Sequence, residues 1–380
     1  MYDVVVIGAG PTGCYAAKGL ARLGYEVLVL EEHTEIGEPV HCTGIISIEA
    51  YQRFDLDRAC IETNLSSARF FSPGGQSFRV SSDEPQAVVV NRSRFDQRLA
   101  EQALSLGASF LLGTRVKSIA VEADRVRVLA SSMGEPISLS SSLAIIATGA
   151  DDSITRQMGL AERTPRISGA QLVAETCALS EVEVYFGRRI APDGFAWAVP
   201  ANGRGCRVGL VCRGCAPALL NRFATTLERR GSIHRNGAPM RCRTMPSGPR
   251  TPSFYDRVMV VGDAAGQVKA TTGGGIYYGL LGAEAAVDAA DRAFRRGEFS
   301  SRQLSPYELR WLSRIGPEQW MGRMLRKIYS SLSDRDIETL FWLGKHSGIP
   351  GMLSALRFDW HTSGILTILS RDLLGAVQWR

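Results

Sequence analysis

The stretch Asp3–Glu32, DVVVIGAGPTGCYAAKGLARLGYEVLVLEE, decides the fold. An apolar run leads into G-x-G-x-x-G, a helical pattern with Pro11 near its start, a second apolar run, and then Glu31 with Glu32 beside it. This is the order of a strand, a phosphate-binding turn, a helix and a second strand. Gly8 permits the tight turn, Gly10 lets backbone N–H groups approach a pyrophosphate at the helix N-terminus, and Gly13 allows the helix to pack closely on the strand. Glu31 then accepts hydrogen bonds from ribose hydroxyls. By itself the unit does not distinguish NAD from FAD.

A second stretch makes that distinction. Asp256–Gly266, DRVMVVGDAAG, reads as a strand ending in an acid, and Thr271–Phe294, TTGGGIYYGLLGAEAAVDAADRAF, as a glycine loop opening a long helix. A nicotinamide dehydrogenase ordinarily uses one glycine unit and places its catalytic groups soon after it, whereas an extended FAD needs holding at both ends. Its pyrophosphate would sit on the first helix and its ribityl hydroxyls on Asp263. The helix starting near Gly275 and Ile276 would face the pyrimidine edge, where a positive helix end stabilises the anion of reduced flavin.

The 380 residues are 45% hydrophobic, enough to bury a large core and form two or three structural units. A net charge of +6 from scattered arginines suits an anionic cofactor or a membrane surface, and no nucleic-acid motif is present. The sequence opens directly on a strand and its apolar runs fall short of the roughly 20 residues a spanning helix takes, so we expect no secretory leader, no membrane span and a cytoplasmic location. Eight cysteines, at 14, 42, 60, 177, 206, 212, 215 and 242, form no framework and read as free thiols. The C-x-x-C pair Cys212/Cys215 lacks a second pair to complete a zinc set, so no metal is expected.

Beyond the glycine loops, several motifs resemble the geranylgeranyl reductase family of FAD-dependent oxidoreductases, which share the glutathione-reductase (GR2) or p-hydroxybenzoate-hydroxylase (PHBH) type of fold. Gly37–Ser47, GEPVHCTGIIS, is similar to the family's G-x-P-x-x-C-x-G segment beside the flavin. Val89–Val116 is similar to the stretch in which an arginine, here Arg92, contacts the cofactor and Val116 lies near the adenine. Ile145–Ser153, IIATGADDS, matches the turn at Gly149 that closes the FAD domain, and Gly262–Gly279 follows the family pattern almost residue for residue. The resemblance implies cofactor contacts at Thr12, Glu31, Glu32, Cys42, Thr43, Arg92, Val116, Gly149, Asp263, Gly274, Gly275 and Ile276. The family's tunnel segment Y-x-W-x-F-P reads F-A-W-A-V-P here, Phe195 to Pro200, which keeps it apolar and removes a hydroxyl. Phe195, Trp197 and Pro200 are thereby implied to touch substrate. Alternation puts Phe195, Trp197 and Val199 on one strand face, as either a tunnel wall or an ordinary sheet core requires.

The implied architecture is α/β: a Rossmann-type FAD-binding domain from residues 1–65, 91–166 and 251–299, a mixed-sheet substrate domain from 66–90 and 167–250, and a C-terminal helical region, 300–380, covering the latter. The tail from Ile349 has apolar residues at helical spacing, with Trp360 and Trp379 among arginines, and suits either a plain helical cap or a membrane surface. The activity implied is hydrogenation of isolated double bonds in a prenyl-chain lipid, with hydride from N5 of reduced FAD and a proton from the protein. Cys42 is either that proton donor or a packing contact to the flavin; Tyr277 and Tyr278 are weaker acid candidates. No second dinucleotide fingerprint is visible, so the electron donor is a ferredoxin or transiently bound NAD(P)H. A monooxygenase or halogenase and a quinone-linked flavin electron carrier are the alternatives.

Overall fold

The computed structural model describes residues 1–160, 165–176, 179–235, 237–346, 351 and 357–360. Cys177 and most of the tail read as an amphipathic segment, Trp379 included, lie outside them. The chain divides into two compact units, Met1–Val40 with Arg92–Arg166 and Pro246–Gln319, and His41–Asn91 with Ile167–Met245 and Trp320–Arg380.

The first unit is built on a sheet in the order Phe254–Tyr255, Val258–Val260, Glu135–Ile146, Tyr2–Ile7, Val27–Leu30, Ser109–Leu111. The last five strands of this series run parallel, and Phe254–Tyr255 turns back antiparallel on Val258–Val260. Parallel strands buried on both faces are expected to be continuous apolar runs, and Val4, Val5, Val6, Val29, Ile145 and Ile146 are wholly buried. Two antiparallel strands, Thr114–Val121 and Val126–Ser132, extend from Glu135–Ile146 as a meander. The helices Pro11–Arg22 and Ile276–Arg296 pack against each other through small residues: a Cβ on Gly19 would stand 2.9 Å from a methyl of Val287.

The second unit carries a mixed sheet in the order Ile233–His234, Arg166–Thr176, Gly205–Cys212, Phe195–Pro200, Val182–Tyr185, Ser67–Phe71, Ser77–Ser81, with Arg241–Pro246 also on Arg166–Thr176. All pairs with a known sense are antiparallel except Val182–Tyr185 with Ser67–Phe71. One sheet face, with Leu172, Ala196, Ala198, Val208 and Leu210, buries the apolar side of helix Ala216–Arg229 through Leu220, Phe223 and Leu227. The opposite face meets a three-stranded sheet, Ile45–Ser47, Ala87–Val90 and Ile61–Leu65, at Trp197 and Val199.

The largest differences from the sequence reading lie at two boundaries. Residues 41–65, expected with the first glycine loop, group with the second unit, because Ile45–Ser47 and Ile61–Leu65 both pair with Ala87–Val90. The expected helical region 300–380 is divided. Its first part belongs to the first unit, where Tyr307, Trp311 and Ile315 of helix Pro306–Ser331 are fully buried, and residues from Trp320 onward group with the second.

Candidate functional site

In the first unit the N-terminal turn closes on its own backbone and stays open on one side. Gly8 has φ +106°, and a Cβ there would stand 2.5 Å from the Ala147 carbonyl oxygen; one at Gly13 would stand 2.0 Å from the Gly8 carbonyl oxygen. Gly10 faces no atom within 4 Å. Helix Pro11–Arg22 begins there with no acid in its first turn, so its positive end is free to meet an anion. Glu31 anchors the turn: its Oε2 accepts the Ala9 N–H at 2.8 Å and its Oε1 accepts the His33 N–H at 3.0 Å. A carboxylate has about four acceptor positions, which leaves room for a ribose hydroxyl.

The second glycine loop sits against the first. A Cβ on Gly279 would stand 2.4 Å from Thr12 Oγ1, and one on Gly262 would stand 3.0 Å from it, so Thr12 is the point where the two loops touch. Asp263 lies in the short turn Gly262–Ala265, and its Oδ1 is so close to the Gly275 backbone that a Cβ there would stand 2.4 Å away. Gly275 in turn is the N-cap of Ile276–Arg296, whose first turn also lacks an acid. The loop is held from behind by buried polar groups. Gln267 Oε1 accepts the Gly262 N–H at 2.7 Å, Gln267 Nε2 donates to Tyr307 Oη at 2.9 Å, and the Tyr307 hydroxyl donates to the Val260 carbonyl. Gln319 Nε2 donates to the carbonyls of Gly266 and Val268 at 2.7 and 2.9 Å. Burial pushes the Tyr307 hydroxyl well above its ordinary pKa, so it keeps the proton it donates.

Other residues singled out from the sequence are placed as follows. Arg92, buried, donates to Asp96 Oδ2 at 2.7 Å and lies over the Phe95 ring. Val116 is part of the sheet core, Gly149 has φ +63°, and exposed Glu32 lies 3.5 Å from Arg115 Nε. Tyr277 and Tyr278 are buried at the start of their helix. Among the described residues no group of three or more metal-ligating side chains occurs. Cys212 is buried, Cys215 exposed, and both are free.

Cys42 and Thr43 lie in the second unit, on a loop fixed to the sheet by two strands. Gln171, 6% exposed, accepts from Thr43 Oγ1 at 2.6 Å through its Oε1, and its Nε2 donates to the Cys42 carbonyl at 3.4 Å. Arg207 donates to the Thr43 carbonyl, to the Val90 carbonyl at 2.8 Å, and to Glu62 Oε2 at 2.6 Å. Within the loop, the Gly44 N–H donates to Cys42 Sγ at 3.3 Å. Strand pairing shows what shares this face. Gln171 is opposite Gly209, and Gly209 is opposite Trp197, so the three stand in one row with side chains on one side of the sheet. Because Gly209 has no side chain, the Trp197 indole lies across it; a Cβ there would be 2.5 Å from Trp197 Cζ2. Phe195 is 5.7 Å from Trp197, centroid to centroid, on the same face, whereas Pro200 points with Ala196 and Ala198 to the other face by alternation. Gln171, Arg207 and Gly209 were not anticipated. Their sequence signal was slight: a polar residue, a charge and a glycine interrupting the apolar strands Arg166–Thr176 and Gly205–Cys212.

Residues 1–205 match the family model of the FAD binding domain. A digeranylgeranylglycerophospholipid reductase of Methanothermobacter thermautotrophicus is 32% identical, the match covering 98% of this chain and all of that one. A protein of the same designation from Methanocaldococcus jannaschii is 30% identical over 90% of each chain. The chain belongs to the geranylgeranyl reductase family of FAD-dependent oxidoreductases. Among solved structures, a geranylgeranyl bacteriochlorophyll reductase-like protein from Thermoplasma acidophilum superposes with a TM-score of 0.87 at 23% identity, covering 96% of this chain and 95% of that one. A p-nitrophenol 4-monooxygenase from Pseudomonas putida shares the fold with a TM-score of 0.72 at 18% identity, covering 92% and 96%. As a member of this reductase family the protein takes FAD. The open side of Gly10, the two acid-free helix starts and the Thr12 contact between loops fit that cofactor.

Proposed function

We propose that this reductase hydrogenates isolated carbon–carbon double bonds of a geranylgeranyl or other polyprenyl chain carried on a lipid, a diphosphate or a quinone. The observation that carries the reading is the shared sheet face on which the Cys42–Gly44 loop stands beside the aromatic row of Phe195 and Trp197. The two relatives named digeranylgeranylglycerophospholipid reductases support it. When bound, reduced FAD supplies a hydride to one alkene carbon. An unactivated alkene develops no oxyanion to stabilise, so the protein's part is alignment, exclusion of water and one proton. Phe195 and the Trp197 indole offer an aromatic surface against which a prenyl chain can pack. Cys42 Sγ supplies the proton, and the Gly44 N–H donates to that sulfur at 3.3 Å. Glu31, Thr12, Asp263 and the two helix starts would hold the cofactor, with Asp263 offering its carboxylate to the ribityl hydroxyls.

The electron donor is a ferredoxin or transiently bound NAD(P)H. No described helix is long and apolar enough to cross a membrane. Helix Pro306–Ser331 nevertheless exposes Trp320, Met324 and Ile328 at 57%, 51% and 52%, flanked by exposed Arg323 and Lys327 with no acid between Trp320 and Ser331. That stripe suits peripheral contact with an anionic bilayer from which the lipid is drawn.

The deciding experiment is anaerobic. The flavin is reduced with dithionite, geranylgeranyl lipids or menaquinone are added, and flavin reoxidation is followed together with product mass. A gain of two hydrogens per double bond is the expected result. Reoxidation with an intact prenyl chain would instead establish a quinone-linked carrier, and reactivity only after oxygen is admitted would establish a monooxygenase.

A further inference from the structure

The Cys42 loop is a short irregular segment in which the Gly44 N–H donates to the sulfur at 3.3 Å, and the loop as a whole is held from the sheet beneath. The Gln171 carboxamide is buried, and a buried amide is costly unless both ends are satisfied. Both ends are spent on the same dipeptide, Oε1 on the Thr43 hydroxyl at 2.6 Å and Nε2 on the Cys42 carbonyl at 3.4 Å. The amide orientation follows from the chemistry of the partners, because the Cys42 carbonyl can only accept. Arg207 adds a second hold on the Thr43 carbonyl. The carbonyl of Cys42 and the hydroxyl and carbonyl of Thr43 are therefore tied to two adjacent strands, and that anchoring, together with the Gly44 N–H, places the Cys42 side chain.

We propose that Gln171 is the positioning residue for the Cys42 thiol, acting through Thr43, and that the carboxamide–hydroxyl bond sets where the sulfur stands relative to the Trp197 row. The inference rests on the reading of Cys42 as the proton donor only for its consequence on turnover; the placement of the thiol is tested apart from it.

The test uses the FAD-loaded protein and four variants, Gln171→Leu, Thr43→Val, Thr43→Ser and the Gln171→Leu/Thr43→Val pair. Alkylation by iodoacetamide is mapped peptide by peptide. Cys14 and Cys206, both buried, report on unfolding; where they react in Gln171→Leu, the smaller Thr43→Val change carries the test. The expected result is that Gln171→Leu changes the Cys42 alkylation rate at least about five-fold, and that Thr43→Val, which removes one of the two Gln171 bonds, changes it in the same direction by no more. The double variant is expected to be no worse than Gln171→Leu alone, because that change already removes the bond Thr43→Val removes, and Thr43→Ser is expected to keep the wild-type rate. In turnover with a prenyl substrate, kcat should fall about ten-fold or more with KM nearly unchanged, as misplacement of a reacting group does. Cys42 alkylation equal to wild type in both single variants, or additive effects in the double variant, would overturn the proposal. An altered alkylation rate with unaltered kcat would leave the positioning role standing and remove Cys42 from the chemistry.

Discussion

At the residue scale, Glu31 is the side chain whose duty is most sharply defined by its neighbours, since one carboxylate ties the Ala9 and His33 amides to the end of a strand. Glu31→Ala removes a charged acceptor from the turn and is expected to weaken FAD binding ten- to hundred-fold, about 1.4–3 kcal/mol. Fluorescence titration of the apoprotein measures this, and an unchanged Kd would show that the ribose is held elsewhere. Gly209 is defined by what it lacks. Gly209→Val puts methyl groups where the Trp197 indole lies and should cost about 1–3 kcal/mol by overpacking. The near-ultraviolet circular dichroism of the tryptophan should change and prenyl turnover should be lost, while flavin content stays at the wild-type level. Roles of this kind were unequally legible in sequence. Gly8 and Gly13 belong to one contiguous turn, so their spacing states their function. Gln171 acts on Thr43 across 128 positions, and a hydrogen bond between such distant residues leaves no local pattern.

At the scale of elements, the second glycine loop shows why motif and support are read so differently. The run Gly273–Gly275 followed by a small-residue helix is visible in any sequence, but the props beneath it come from a helix some forty residues later. Tyr307→Phe removes the hydroxyl that accepts from Gln267 and donates to Val260, leaving buried groups without partners. We expect a loss of about 1–3 kcal/mol in unfolding free energy by urea titration and faster release of FAD. An equally stable variant would show that the loop stands without this prop. The helix pair of the first unit also carries a pH dependence. Burial, then the hydrogen bond to Asp291, pushes the Tyr25 hydroxyl to about 12. A tyrosine raised above its unfolded value near 10 contributes stability that is complete below about pH 10 and lost as pH rises through 12. Tyr25→Phe should flatten the fall in melting temperature across that window, and a curve parallel to wild type would assign the alkaline loss to other groups. Short strands were the least legible elements. Ile45–Ser47 has three residues, and its partner Ala87–Val90 lies some forty positions on, so nothing nearby announced that residues 41–65 would leave the glycine-loop unit.

For the molecule as a whole, the fold class was legible because two strand–turn–helix units and the segment linking them each state a local structure, and an α/β sheet arranges such units in only a few ways. The division between units was less so, because it depends on pairings among distant strands. On the cofactor contacts proposed, residues 1–205, the part matched by the FAD binding domain model, are expected not to hold the cofactor alone. That fragment lacks Val258–Val260, which covers the edge of Glu135–Ile146, and it lacks the whole second glycine loop. Expressed by itself it should be colourless and prone to associate through the bared strand edge. A fragment that purifies yellow, with stoichiometric flavin, would contradict this.

The chain passes between the two units five times, at residues 40/41, 91/92, 166/167, 245/246 and 319/320. Neither unit can be cut out and joined to another protein as a cassette, because each is interrupted twice by the other. On the function proposed, a change of prenyl substrate is expected to come from point changes on the sheet face, such as those at Phe195 or Gly209. An engineer wanting a different substrate has the same restriction: mutate the face in place, because there is no seam along which to graft a new one.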